Sequence, residues 1–166
     1  MHVRSVIIGG IVASLVIGMW EMVVEAVLPD GAGFFGPVVA IGATVIRDLQ
    51  GSGNPIPFDG EAFVLGLAGH MMNSIVLAAI FGLAASRFLH EGTKLVAGGV
   101  LYGIVVWAVM WFVVLPLVDP LILNLNGLVF LIGHMMWGGA LGFLWSRVAP
   151  AHARARIAHP GLRTAD

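Results

Sequence analysis

The sequence predicts an all-α polytopic membrane protein, with four transmembrane helices forming two tandem parallel hairpin repeats and a short interfacial or re-entrant helix between the first two spans. Composition is the first observation behind this prediction, because 59% of the 166 residues are apolar and only 10% are charged, whereas soluble domains carry about 25% charged residues. The mean hydropathy of +0.99 agrees with it. The other two observations are four apolar stretches of spanning length and a repeated Gly-His-Met-Met motif.

Charge and cysteine content exclude several kinds of partner and site. The formal net charge is −1, so the chain has no basic footprint for nucleic acid. The sequence contains no cysteine, which excludes disulfides, thiolate-ligated zinc and cysteine-ligated iron–sulfur clusters. A metal ion would therefore need His, Met, Glu, Asn or backbone ligands.

Each predicted span meets the length of roughly twenty apolar residues that crosses the hydrocarbon core. We predict helices at about 5–28, 63–89, 95–118 and 128–148. Together they form one bundle over residues 1–148. The outer connection, residues 29–62, is rich in turn-forming Gly, Pro, Asn and Asp, and its apolar centre is too short to span. Pro116 and Pro120 are expected to end the third helix, because proline cannot continue the hydrogen-bond ladder.

The distribution of basic residues predicts the orientation. All but one of the eight Lys and Arg residues fall on the side of the two termini, and these are Arg4, Arg87, Lys94, Arg147, Arg154, Arg156 and Arg163. Only Arg47 lies in the long connection. Because cytoplasmic segments are enriched in Lys and Arg, we predict both termini in the cytoplasm and residues 149–166 as a basic cytoplasmic tail.

Small residues recur at four-residue spacing after each copy of the motif. The second helix carries His70, Ser74, Ala78, Gly82 and Ser86, and the fourth carries His134, Gly138, Gly142 and Ser146. Such spacing lets helix backbones approach closely in lipid. Both histidines are therefore expected on packing faces.

Helix direction predicts that Glu21, His70 and His134 share one depth. Helix 1 runs outward and carries Glu21 and Glu25 late, whereas helices 2 and 4 run inward and carry His70 and His134 early. Polar groups are costly in hydrocarbon unless they find partners within the protein. The candidate metal ligands are His70, His134, Glu21, Glu25, Met71 and Met135, with Asn73, Met110 and Trp111 close to them.

The ligand of this layer stays open at the level of sequence. His70 and His134 on diagonal helices could ligate a b-type haem. Imidazoles with thioethers favour copper(I), and imidazoles with carboxylates suit iron, manganese or zinc. Alternatively the histidines are a structural pair, hydrogen-bonded to Glu21, Glu25, Asn73 or a backbone carbonyl.

Helices 2 to 4 resemble a known group of proteins. The residues that carry the resemblance are His70 with Ser74, then Leu101-Tyr102-Gly103 with Trp107 and Pro116, then His134 with Gly138 and Leu141-Gly142. This pattern resembles a family of uncharacterised small four-helix bacterial inner-membrane proteins, and it is more distantly similar to YagU-type proteins. The resemblance implies a four-helix fold and a bacterial inner-membrane location, and it implies no activity.

The sequence contains no nucleophile elbow, phosphate-binding glycine loop or HExxH pair. We therefore expect a non-catalytic binding or accessory subunit of a larger respiratory or metal-handling membrane complex, with haem b, copper or another metal ion as the candidate cofactor. The alternatives are a small metal-ion or proton transporter and a membrane redox enzyme with haem or copper. The expected partners are the lipid bilayer and other membrane subunits or a second copy of the chain, and no nucleic acid is expected.

Overall fold

The apolar stretches form helices in the structure, a computed structural model that describes residues 3–88 and 92–158. These residues contain no strand, and their α-helices are α1 (Val3–Val27), α2 (Gly36–Gly42), α3 (Gly60–Phe88), α4 (Gly92–Val109), α5 (Leu115–Val118) and α6 (Gly127–Ala158). Four spans are long and apolar enough to cross a membrane, namely Val3–Val27, Gly60–Ala85, Gly92–Val118 and Gly127–Arg147. For the described residues, the prediction of an all-α fold with four helices long and apolar enough to cross a membrane is confirmed.

The third span ends at Val118, between the two prolines expected to end it, and its helical path passes through Pro116. A π-helical turn, Met110–Val114, connects α4 to α5, and the helical path continues to Val118. Proline in a helix interior lacks a hydrogen-bond donor and collides with a carbonyl one turn earlier. The wider π turn comes directly before Pro116, which occupies the first turn of α5, where a missing N–H is tolerated.

The last helix extends beyond the predicted boundary at residue 148. It continues through Pro150 to Ala158, and the Ala and Arg residues that dominate 149–158 have high helix propensity. The remainder of the predicted basic tail, residues 159–166, lies outside the described residues, as do residues 89–91 of the link between α3 and α4.

The helices pack in the order α3, α1, α6, α4, so that α1 and α6 form the centre and α3 and α4 flank them. The two flanking helices meet mainly where the Tyr102 hydroxyl donates to the Leu77 carbonyl at 3.0 Å and the Phe81 and Tyr102 rings lie 5.5 Å apart. Residues 28–59 and 119–126 connect helices at one end of the bundle, which we call the loop end. Between that contact and the loop end, α3 and α4 are separated.

Glycines set the closest helix contact. Gly99 and Gly103 of α4 face Gly138 and Gly142 of α6, and a Cβ on any of them would collide with the backbone of the other helix. Backbones this close gain van der Waals contact along the interface, which is how helices associate in lipid. The predicted packing role of Gly138 and Gly142 is confirmed.

The short helix of the long connection is packed into the bundle. Most residues of α2 are buried, and the helix lies against the start of α3, where Gly42 contacts the Ala62 backbone and Gly66 contacts the Val38 backbone. Together with Leu121 from the 3-10 helix Pro120–Asn124, it forms an apolar core at the loop end. This core anchors the loop end of the bundle.

Candidate functional site

A cavity of about 160 Å³ lies between α3 and α4 at the loop end, with α1 and α6 behind it. Glu21, His70 and His134, the residues predicted to share one depth, all line it. Asn73 and Val118 also line it and are exposed, so the cavity reaches the surface of the bundle between the flanking helices. Its walls are mainly apolar, and the described lining residues include no Lys or Arg.

Each histidine is held by a backbone carbonyl. The His70 Nε2 bonds the Ser14 carbonyl of α1 at 3.1 Å, and the His134 Nδ1 bonds the Phe130 carbonyl one turn earlier in α6 at 2.8 Å. A carbonyl oxygen only accepts, so both bonded nitrogens carry hydrogen. In each neutral ring the remaining nitrogen, Nδ1 of His70 and Nε2 of His134, is therefore an acceptor.

Glu21 is the one cavity carboxyl group with an orphaned atom among the described residues. Its side chain is 3% exposed, and its Oε1 has no hydrogen-bond partner there. Gly133 makes room for it, since a Cβ at that position would lie 3.2 Å from Oε1. A buried polar atom without a partner costs about 1–3 kcal/mol, which makes this carboxyl a candidate ligand-binding group.

A hydrogen-bond chain joins three helices beside the cavity. The Trp137 indole N–H donates to the Ser74 hydroxyl at 2.8 Å, and that hydroxyl donates to the Gly10 carbonyl at 2.7 Å. Both side chains are buried and line the cavity. Because these groups satisfy one another, the chain fixes the cavity wall and leaves the binding capacity to Glu21 and the histidines.

Glu25 has a different position from Glu21. Its Oε1 accepts from the Asn126 amide at 2.8 Å and its Oε2 accepts from the Ala32 amide at 3.0 Å. It does not line the cavity. Instead of ligating a metal with the histidines, this carboxyl connects the end of α1 to both loops at the loop end.

The remaining predicted residues divide between the cavity and the bundle surface. Asn73 and Met110 line the cavity. Met71 and Met135 are partly buried and do not line it. Trp111 packs on Phe130, with ring centroids 5.4 Å apart, and also lies outside the lining. The histidines therefore line the cavity, and the methionines that directly follow them do not.

The described His, Asp and Glu side chains do not by themselves form a metal site, and the cavity does not fit haem. Within residues 3–88 and 92–158, no three His, Asp or Glu side chains are grouped closely enough to hold a metal ion. A cofactor pocket typically measures about 300–1,000 Å³, so a cavity of about 160 Å³ is too small for haem. The His70 Nε2 is also occupied by the Ser14 carbonyl.

Sequence reasoning missed the polar cluster at the loop end of the cavity. Asp119 accepts from the Thr44 hydroxyl and from the Gln50 amide, each at 2.6 Å. Burial raises the pKa of the Asp119 carboxyl above its ordinary value of 3.8, although those two hydrogen bonds and the charge of Arg47 oppose the shift. The sequence signal for this cluster is an acidic residue, Asp119, between Pro116 and Pro120 at the end of a span.

Comparison with known proteins does not identify the chain. The resemblance to small inner-membrane proteins therefore stays a prediction. No family model matches the chain, and neither a curated protein nor a solved structure matches it.

Proposed function

We propose that this chain is a non-catalytic integral membrane binding protein that takes a small ligand into the cavity between α3 and α4. The observation that carries the proposal is a cavity of about 160 Å³ whose wall holds the unpartnered Oε1 of Glu21. Small apolar pockets with a few convergent polar groups are the usual form of ligand sites. A ligand that hydrogen-bonds Glu21 would offset the cost of burying that group.

The location of the cavity favours binding over transport. Its lining extends on α3 only from Gly69 to Leu77 and on α6 only from Phe130 to Trp137. The Tyr102–Leu77 hydrogen bond holds α3 and α4 together beyond it. A one-sided pocket that opens between two helices can exchange its ligand with one leaflet of the membrane, and it offers no continuous path to the other side.

Several finer features belong to the same proposal. In this proposal the two Gly-His-Met-Met hairpins are tandem parallel repeats, and both termini lie in the cytoplasm of a bacterial inner membrane, an orientation that the seven basic residues on the terminal side support. The cavity then opens in the outer leaflet. The chain acts as a binding or accessory subunit beside other membrane proteins or a second copy of itself.

A cavity-filling substitution tests the binding function. Val106 is 9% exposed and lines the cavity, whereas its neighbour Val105 is 52% exposed and faces outward. Toluene, titrated calorimetrically into the full chain in lipid nanodiscs with protein-free nanodiscs as the blank, should bind in a saturable manner. We expect V106F to weaken this binding by about tenfold or more, because the new ring occupies the cavity, and V105F to leave it unchanged.

Two results would contradict the proposal. In the first, toluene gives no saturable signal above lipid partitioning. In the second, V106F and V105F bind it equally well, which would place the binding elsewhere.

A further inference from the structure

We infer that the cavity selects a small primary ammonium ion with a single-ring or similarly compact apolar body. This inference rests on the proposed binding function and specifies the ligand. It rests on the hydrogen-bonding atoms that the cavity presents to a ligand. What matters is whether these atoms donate or accept, which charge they favour and how far apart they lie.

The atoms left for a ligand are acceptors. The bonds to Ser14 and Phe130 consume the N–H of each neutral imidazole, so one acceptor nitrogen remains on His70 and one on His134. Among the described residues, the Oε1 of Glu21 is the acceptor of this set that is buried without a hydrogen-bond partner. A ligand that donates hydrogen bonds matches this set, whereas one that only accepts leaves both partners unsatisfied.

The charges around the cavity favour a cation. Glu21 and Asp119 contribute carboxyl groups to the wall. The described lining residues include no Lys or Arg, and the charge of Arg47 acts on Asp119 from outside the lining. Phe130 and Trp137 add aromatic rings, whose faces attract cations. An ammonium group supplies a positive charge and three N–H donors at once.

The spacing of the acceptors argues against a bare metal ion. Among the described residues, no three acidic or imidazole groups are close enough to share one ion. A molecule with several N–H bonds can bind acceptors that are too far apart to share one metal ion. Each N–H reaches its own acceptor across a separate hydrogen-bond distance. The organic ion therefore fits better than a metal.

The volume of the cavity limits the apolar part of the ligand. About 160 Å³ is available, and an engineered protein cavity of about 150 Å³ holds one benzene molecule. The apolar lining, with Leu77, Val106 and Ile122, suits a body of that size. One ring or a short branched alkyl chain completes the ligand.

The test compares the binding of four monosubstituted benzenes to the full chain in nanodiscs at neutral pH. Benzylamine is protonated and donates, benzyl alcohol is neutral and donates once, toluene does neither, and benzoate is an anion that only accepts. We expect benzylamine to bind about tenfold or more tightly than toluene, with benzyl alcohol between them and benzoate weakest.

Substitutions test which side chains produce the preference for benzylamine over toluene. E21Q should remove the advantage of benzylamine and change toluene binding by less than about threefold, because it removes the ionisable carboxyl group and keeps the volume. E61Q is the matched control, since Glu61 is exposed and lies outside the cavity. H134F should lower the affinity for both donor probes.

Each outcome separates this inference from the binding function. If benzoate or toluene binds as tightly as benzylamine, the ammonium assignment is wrong while the binding function stands. If E21Q keeps the full preference, Glu21 is not the recognition group and the inference also fails. If stoichiometric zinc displaces benzylamine, the site is a metal site. If no probe binds, the proposed function fails as well.

Discussion

The substitution E25A tests whether Glu25 is a loop anchor or a ligand-binding residue. The carboxyl accepts from the backbone amides of Ala32 and Asn126, which belong to two different loops. It is 1% exposed, and Ala32 is fully buried. Removing the side chain should therefore lower the stability of the fold and leave the cavity residues in place.

The expected magnitude follows from the exposure of the two amides. The Ala32 amide cannot reach water, so leaving it unpaired costs about 1–3 kcal/mol. Asn126 is exposed, so water can replace part of its bond, and a typical net loss is about 0.5–1.5 kcal/mol. Together E25A should lower the free energy of unfolding by roughly 2–4 kcal/mol. E25Q keeps one accepting oxygen and should lose about half as much.

The assay is equilibrium unfolding in mixed detergent micelles, followed by tryptophan fluorescence, with E61A as the exposed-carboxylate control. Amide hydrogen exchange at Ala32 provides a local measurement, because that amide should lose protection in E25A. A stability equal to that of the wild type, combined with lost binding of the cavity probe, would refute the anchor assignment and return Glu25 to the site.

Two further predictions concern the loop end and the α4–α6 contact. Because burial raises the pKa of Asp119 above 3.8 in the folded protein, its contribution to stability is fully present below pH 3.8 and decreases as the pH rises through the folded-state value. The melting temperature measured across that pH range should decrease less steeply in D119N than in the wild type. D48N, at an exposed position, is the control and should follow the wild type. Parallel pH profiles for wild type and D119N would contradict the assignment. G103A should lower the free energy of unfolding by about 1–3 kcal/mol, because a Cβ there collides with the backbone of α6. G9A is the control, since its Cβ would meet only Leu141 at 3.8 Å, and equal effects of the two changes would exclude backbone contact as the cause.

The helices of this protein could be predicted from sequence to within a few residues, except at the end of the last one. Apolar length alone identifies a span in hydrocarbon, because every backbone polar group must be satisfied within the helix. The third span ends at Val118 as expected, after a π-helical turn that directly precedes Pro116. The fourth span ends at Arg147, but its helix continues to Ala158, which apolar length does not predict.

The shared depth of Glu21, His70 and His134 could also be anticipated, because helix direction and position along the helix determine depth. Depth does not determine rotation or hydrogen-bond partners. Those depend on how closely two helices approach, and the approach depends on glycine contacts distant in sequence, such as Gly103 against the His134 backbone.

The sequence by itself therefore determined a four-span helical chain with a polar layer, since hydropathy and periodicity are local properties. Only the tertiary structure decided that Glu25 anchors loops while Glu21 faces a cavity. The two carboxyls lie one helical turn apart on the same face of α1, and no local pattern distinguishes them. The difference arises from which backbone amides the loops bring to each, because a buried acceptor is satisfied or left open by neighbours that the fold alone supplies.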